Sequence, residues 1–278
     1  MPELQLPAGE DVFARSGKVN LFYQLGVKVD LTGVTSQQYF DWLDAMKVRL
    51  PKLVRGAEIG EKVEIRTSPV LNTGVYYDTD DYQIVQTGSL LRTTCAVTHA
   101  FCAFKLADNG KDVRKDHRYV FQGKDRGIIR GAPASAEAVA IVKRLLARTD
   151  IEHPGSFLKL YHGIDPTTVE PAVIVKRYIS SFYVWLDKQD ALRCPMDRVY
   201  VGNLREPEAD RKLRHFREVE LMIYPHVDNE VAKDPRLADA IRVLAETLHE
   251  QFGAEITKEI KYQRGARALG LFPVAATG

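Results

Sequence analysis

Along residues 215–226 the chain reads HFREVELMIYPH, with polar and apolar side chains alternating. Glu218, Glu220, Met222 and Tyr224 fall on one side of an extended chain. Arg217, Val219, Leu221 and Ile223 fall on the other, because successive strand side chains point to opposite faces. The carboxylate side either faces water or lines the inside of a barrel, where two carboxylates need a cation or a basic partner. The same period appears in KVNLFYQLGVKVDL (18–31). There Val19, Leu21, Tyr23, Leu25, Val27 and Val29 share one face, and Asn20, Phe22, Gln24, Gly26, Lys28 and Asp30 the other.

Elsewhere the period lengthens to that of a helix. Thr35-x-x-Gln38 is a capping box ahead of an apolar stripe of Tyr39, Leu43, Met46 and Leu50, and Pro51 is expected to end that helix. Residues 134–148 predict a second helix with Val139, Val142, Leu145 and Leu146 inward. Residues 235–252 predict a third, opened by Asp234 and Pro235, closed by Gly253, and buried along Leu237, Ile241, Leu244, Leu248 and Phe252. Between 60 and 122 strands are expected, with turns at Asn72–Gly74, Asp80–Asp81 and Asn109–Gly110. Further strands are expected at about 172–186, 196–202 and 216–225, with the polar 205–215 as an exposed excursion. The sum is an α+β protein. A loose leader (1–17) precedes one domain (18–278) whose antiparallel strands close into a barrel or pack as a sandwich, flanked by helices.

Composition narrows the function. The 278 residues are 45% hydrophobic and 27% charged, and 39 basic against 37 acidic residues leave a net charge of +2. No bulk field demands nucleic acid or membrane, so functional charge must be local. Cys95, Cys102 and Cys194 form no CxxC pair, and an odd count argues against a disulfide framework. The N-terminus lacks a signal-peptide pattern, and no apolar run approaches the ~20 residues that span a bilayer. A cytoplasmic protein with free thiols is expected. Walker, dinucleotide, GxSxG and zinc spacings are absent, and the glycines of QGKDRGIIRG (122–131) lack the setting of a phosphate loop.

What remains is a scatter of cations on strands: Lys28, Arg92, Lys105, Arg114, Arg118, Arg177, Arg193 and Arg198, then Lys258 and Lys261 near the end. Any one of them is ordinarily a solvated side chain. Together with Glu218 and Glu220 they describe a cation-lined tunnel for a polyanion. Carboxylates at one end would hold Mg²⁺ or Mn²⁺, since hard cations take oxygen ligands.

The stretch VYYDTDDYQIVQTGSLLRTT (75–94) resembles the signature of the CYTH, or triphosphate tunnel, superfamily. That group includes thiamine and inorganic triphosphatases, class IV adenylate cyclases and the polymerase domain of the vacuolar polyphosphate complex. EVELMI is similar to its late Glu-x-Glu strand. LRCPMDRV (192–199) is similar to a strand of the polyphosphate branch, and KEIKYQRG to the closing Lys-x-x-Lys-Tyr segment. The order holds from about residue 18 to 265. The resemblance implies a tunnel-like antiparallel barrel in which Lys28, Arg92, Arg177, Arg193 and Lys261 hold phosphate, with Lys105 and Lys258 as further members. It implies metal on Glu218, Glu220 and Asp197, with Asp187 as a rival third ligand, and a catalytic set of Glu218, Glu220 and Lys28. Two departures stand out. The family's first-strand Glu-x-Glu-x-Lys is here QLGVK, with Gln24 and Gly26 at the carboxylate positions, and Thr94 replaces the second Arg of Leu-Arg-x-Arg. Gly26 would leave room for another ligand group. Asp116, Glu61 or Glu64 could replace the lost carboxylates from a neighbouring strand.

The implied activity is metal-dependent hydrolysis of a triphosphate-bearing small molecule or nucleotide. The alternatives are a nucleotide cyclase, releasing a cyclic nucleotide and pyrophosphate, and a non-catalytic phosphate or nucleotide binder. Acting on RNA ends would need a basic surface from Lys111, Arg114, Lys115, Arg118, Lys124, Arg126 and Arg130. A charge-rich hairpin is more ordinarily solvated, which argues against a nucleic-acid partner. A homodimer stays open.

Overall fold

The computed structural model describes residues 15–16, 19–23, 26–61, 64–106, 113–224 and 233–271. The expected turn at Asn109–Gly110, most of the expected leader and Gln24 lie outside them. A single antiparallel sheet of twelve strands organises the described residues. In chain order these are β1 (Arg15–Ser16), β2 (Val19–Tyr23), β3 (Gly26–Asp30), β4 (Ala57–Glu61), β5 (Val70–Asp78) and β6 (Leu90–Cys95). They continue with β7 (Ala100–Lys105), β8 (Val113–Val120), β9 (Glu170–Leu186), β10 (Gln189–Asn203), β11 (Arg214–Ile223) and β12 (Ile256–Thr257). The spatial order is β1-β2-β8-β7-β6-β5-β9-β10-β11-β3-β12, with β4 paired to β9.

The sheet is not closed into a barrel by hydrogen bonds among the described residues, which corrects that part of the expected architecture. The single strand expected over 18–30 is two pieces with different partners: β2 pairs with β8 at one end of the sheet, β3 with β11 at the other. Three peptide links separate Tyr23 from Gly26, so those ends lie within about 11 Å along this stretch of chain. The sheet is therefore strongly curled, and its concave face is the natural place for a site.

The long helices cover the convex face, and the last helix lies on the other side. α1 (Ser36–Leu53) starts at the expected capping box, with Gln38 N–H donating to Thr35 Oγ1 at 3.2 Å and Thr35 N–H to Gln38 Oε1 at 2.9 Å. Pro51 does not stop it. The helix runs two residues further because Pro51, in the last turn, lacks one N–H while Val54 N–H still reaches Leu50. The short α2 (Glu64–Thr67) and α3 (Gln83–Gln86) follow, then α4 (Gly123–Gly131), α5 (Ala136–Leu146) and α6 (Pro154–His162). α7 (Arg236–Phe252) opens where Asp234 accepts from Arg236 N–H at 2.9 Å, and closes at Gly253, whose φ of +64° suits glycine. α8 (Lys261–Ala268) is the last element. α1 and α7 bury Tyr39, Trp42, Leu43, Met46, Leu50, Leu244 and Leu248 against Met196, Val219 and Leu221 of β10 and β11. α4, α5 and α6 pack over β5–β7 in a second core.

Asn72–Gly74 is not a turn but the interior of β5. A Cβ on Gly74 would stand 2.8 Å from Thr93 O, so this glycine permits close strand approach rather than chain reversal. The turn at Asp80–Asp81 is as expected. β10 begins seven residues earlier than expected, which brings Arg193 into the sheet. The three thiols are free and buried, and among the described residues no helix is long and apolar enough to cross a membrane.

Candidate functional site: a cation-lined cavity with a buried carboxylate triad

Alternation sorts β11 as its sequence implied. Val219, Leu221 and Ile223 enter the core beneath α1 and α7, while Glu218 and Glu220 turn to the concave side. The same rule carries Arg177 and Ile179 from β9, and Arg193, Pro195 and Asp197 from β10, to that side. Deeper along it, Val173, Val175, Val199, Val201 and Phe216 form an apolar floor, sealed by Ile260, Tyr262 and Ala266. α8 is thus pinned inside the curl. Tyr262 stacks on Tyr76 and donates its hydroxyl to buried Asp78 at 2.9 Å. Asp78 also accepts from Thr79, Ile84 and Val85 N–H at 2.8–3.0 Å.

Above this floor opens a cavity of about 550 Å³, within the range of small-molecule sites. Lys28, Arg92, Lys105, Arg118, Arg177, Arg193 and Lys261 line it, against a single carboxylate among the described residues, Glu220. Six of the seven expected phosphate-holding residues are therefore together. Lys258 is not; it is exposed, in the loop before α8. Arg118, one of the cations that the sequence analysis gave to the tunnel, also lines the cavity. Arg92 donates to Tyr76 Oη at 3.2 Å, and Lys28 to Glu259 O at 3.3 Å.

Asp197, Glu218 and Glu220 present oxygens within 4.8 Å of one another. Asp197 faces Glu218 directly across β10–β11, Glu218 faces Asp30 across β11–β3, and Glu220 faces Lys28. Like charges directly opposite destabilise a sheet, and Asp197 and Glu218 are fully buried. The remedy comes from three cations. Arg177 donates to Asp197 Oδ2 at 2.7 and 3.2 Å. Arg264 contacts Glu218 Oε2 at 3.2 Å and also pairs with Asp30. Lys261 Nζ lies among all three triad members, 3.0 Å from Asp197 Oδ2, 2.6 Å from Glu218 Oε1 and bonded to Glu220 Oε1.

The charge states follow. Burial alone would raise the Glu220 carboxyl, but Lys261, Lys28 and Arg177 outweigh it and hold the group below the usual carboxylate range. Burial would lower the Lys261 amine, yet Glu218, Glu220 and Asp197 hold it above its usual value. Arg177 is likewise held above its usual value, where Asp197 and Glu220 overcome desolvation.

The triad's oxygen donors are of the right chemistry for the Mg²⁺ or Mn²⁺ that the resemblance implies. They do not fit such an ion as arranged, because the Lys261 ammonium takes the position among them. Among the described side chains, no substitute for the lost carboxylates supplies one. Glu61 pairs with Lys47 and Arg66 away from the cavity, and the side chains of Glu64 and Asp116 lie outside the described residues. Asp187 is not a rival ligand; it sits in the β9–β10 turn, paired with Arg236 at 2.8 Å. Gly26 leaves no vacancy either, since a Cβ there would meet Leu221 O at 2.4 Å and Met222 Cα at 2.8 Å.

Sequence reading missed Arg264. Its signal was the i, i+3 spacing from Lys261, which puts both side chains on one face of a helix.

No protein-family profile and no curated protein matches the chain. Among solved structures it is similar to a candidate adenylate cyclase from Bacillus halodurans. The identity is 11%, with 76% of this chain and 96% of that one covered and a TM-score of 0.45. It is also similar to a candidate adenylyl cyclase from Hippeastrum, described as having a dominant triphosphatase activity, at 13% identity, 89% and 95% coverage and a TM-score of 0.45. The S. pombe RNA triphosphatase Pct1 is similar at 10% identity, 78% and 63% coverage and a TM-score of 0.26.

Proposed function

We propose that the protein binds the triphosphate chain of a small molecule or nucleotide in the concave cavity and hydrolyses it. The observation that carries this reading is the cavity wall itself: among the described residues, seven basic side chains, drawn from six strands and a helix, surround a space of about 550 Å³ with one carboxylate. A wall so unbalanced in a protein of net charge +2 matches an elongated polyanion. Arg side chains grip phosphate in a planar fork and Lys as point charges.

Phosphoryl transfer asks for positioning and charge neutralisation more than covalent chemistry from the protein. Lys28, Arg92, Lys105, Arg118 and Arg193 would straighten the phosphate chain. Water attacks the terminal phosphorus, the bond from that phosphorus to the bridging oxygen breaks, and the electron pair stays on the bridging oxygen beside the basic side chains. Glu220, kept ionised, would accept a hydrogen bond from the attacking water and orient it, and the proton released passes to solvent. A second reading, a binder without turnover, is favoured by one observation: Glu220 is already engaged by Lys261.

A phosphorus NMR time course with inorganic triphosphate, or with mixed nucleoside triphosphates, separates these outcomes when run with Mg²⁺, with Mn²⁺ and with EDTA. Orthophosphate establishes the hydrolase, and pyrophosphate with a cyclic monophosphate establishes a cyclase. Broadened but unchanged triphosphate lines establish the binder. Sharp, unshifted lines overturn the assignment of the cavity.

A further inference from the structure

We propose that Lys261 is the resident cation of the Asp197–Glu218–Glu220 triad, standing where a divalent metal would stand, and that the polyanion is bound without metal. The inference rests on the proposed reading of the cavity for its ligand, but its claim about the triad is independent of that reading.

The first argument is occupancy. The ammonium contacts all three carboxylates, with N···O distances of 3.0 Å to Asp197 and 2.6 Å to Glu218. Both are close ion pairs, and Glu220 accepts a hydrogen bond from the same ammonium. A divalent ion among the same oxygens would lie against the ammonium. The second is charge balance. Asp30, Asp197, Glu218 and Glu220 meet four cations: Lys261, Arg177 and Arg264, with Lys28 opposite Glu220. Further positive charge there would be uncompensated.

The third is anchorage. Lys261 is only 7% exposed, and its neighbours in sequence are fixed. Ile260 is buried in the floor, and Tyr262 is held by the Tyr76 ring and the Asp78 carboxylate. The backbone that carries the ammonium to the triad is therefore set by packing. The fourth is the ligand's own need. Arg92, Lys105, Arg118 and Arg193 also line the cavity, enough to meet a triphosphate without a bridging metal. Gly26 completes the case, because strand β3 cannot offer a carboxylate there without colliding with β11.

The test measures Mn²⁺ binding by electron paramagnetic resonance in wild type, Lys261→Gln, Lys261→Met and Glu218→Gln, with no phosphate present. Wild type should take up no Mn²⁺, while removal of the ammonium should open the triad and tighten Mn²⁺ binding by about 100-fold or more. Calorimetry with tripolyphosphate should then show wild-type binding that survives EDTA. Uptake of Mn²⁺ by wild type that is lost in Glu218→Gln overturns the proposal. So does failure of both folded Lys261 variants to bind Mn²⁺, or tripolyphosphate binding that EDTA abolishes. Should neither Lys261 variant fold, the comparison of wild type with Glu218→Gln decides. Absence of tripolyphosphate binding under every condition overturns the reading of the cavity instead, and the Mn²⁺ measurement still decides the place of Lys261.

Discussion

Tyr262 lies flat on Tyr76, with ring centroids 4.5 Å apart and planes 11° apart. Its hydroxyl ends on Asp78 at 2.9 Å. Neither Asp78 nor Tyr262 lines the cavity, yet the pair fixes the first turn of α8 and so the positions of Lys261 and Arg264. Tyr262→Phe is expected to cost about 1–2 kcal/mol, since it leaves one buried oxygen of Asp78 short of a donor. It should also weaken tripolyphosphate binding by about three- to tenfold. Chemical denaturation and calorimetry check the two effects; a loss of stability with full affinity would free α8 from this positioning role.

Gly26 gives a prediction with the opposite sign to a motif-based guess. Restoring a side chain at this position should harm the protein, because the space belongs to the β11 backbone. Gly26→Ala is expected to destabilise by about 2–3 kcal/mol in urea unfolding. Gly26→Glu should create no Mn²⁺ site. A Gly26→Glu protein as stable as wild type would contradict the close strand packing.

Arg193 and Lys258 separate lining from proximity in sequence. Arg193→Ala should weaken tripolyphosphate binding by about tenfold, or ~1.4 kcal/mol. Lys258→Ala, at an exposed position off the cavity, should leave affinity within about twofold. Titration calorimetry at one fixed ionic strength makes the comparison.

The triad also sets a pH dependence. Glu220 is held below its ordinary range in the folded chain, so its contribution to stability is full above about pH 4.3 and is lost as pH falls through the lower folded value. Lys261 is held above its ordinary range, so its contribution is full below about pH 10.4 and fades above that. The stability gap between wild type and Glu220→Gln should therefore be widest near neutrality and shrink below about pH 4.3. Denaturant midpoints from pH 3 to 7 read this directly, and a gap that widens toward acid would reverse the assigned sign.

Much of this was legible in sequence where a local rule had local causes. The capping box at Thr35, the stop at Gly253 and the alternation of β11 each depend on residues within one turn or one strand. The carboxylates, Arg92, Arg177, Arg193 and Lys261 were legible through motif order. Features set by distant backbone were not. Gly74 looked like a turn residue because nothing nearby in sequence shows Thr93 O at 2.8 Å. Lys258 looked like a partner of Lys261, but α8 begins only at Lys261, so the two do not share a helix face. Arg118 stood open between tunnel and hairpin surface because no local pattern shows which side of the curl a β8 residue faces. The ammonium among the carboxylates was invisible for the same reason, since motifs name residues without saying which ones touch.

Asp197, Glu218 and Asp30 stand side by side on β10, β11 and β3, a row of negative charge across three adjacent strands. Two of the cations that quiet this row, Lys261 and Arg264, arrive on α8. On a ribosome that helix emerges after all three strands, so the centre of the sheet is completed late, by the segment made last. Until α8 docks, Arg177 at Asp197 is the sheet cation that meets this row among the described residues. A chain ending before residue 261 would keep its helices α1 and α7 and their core. It would lack what lets that core's sheet settle, and a quality-control protease would find it open.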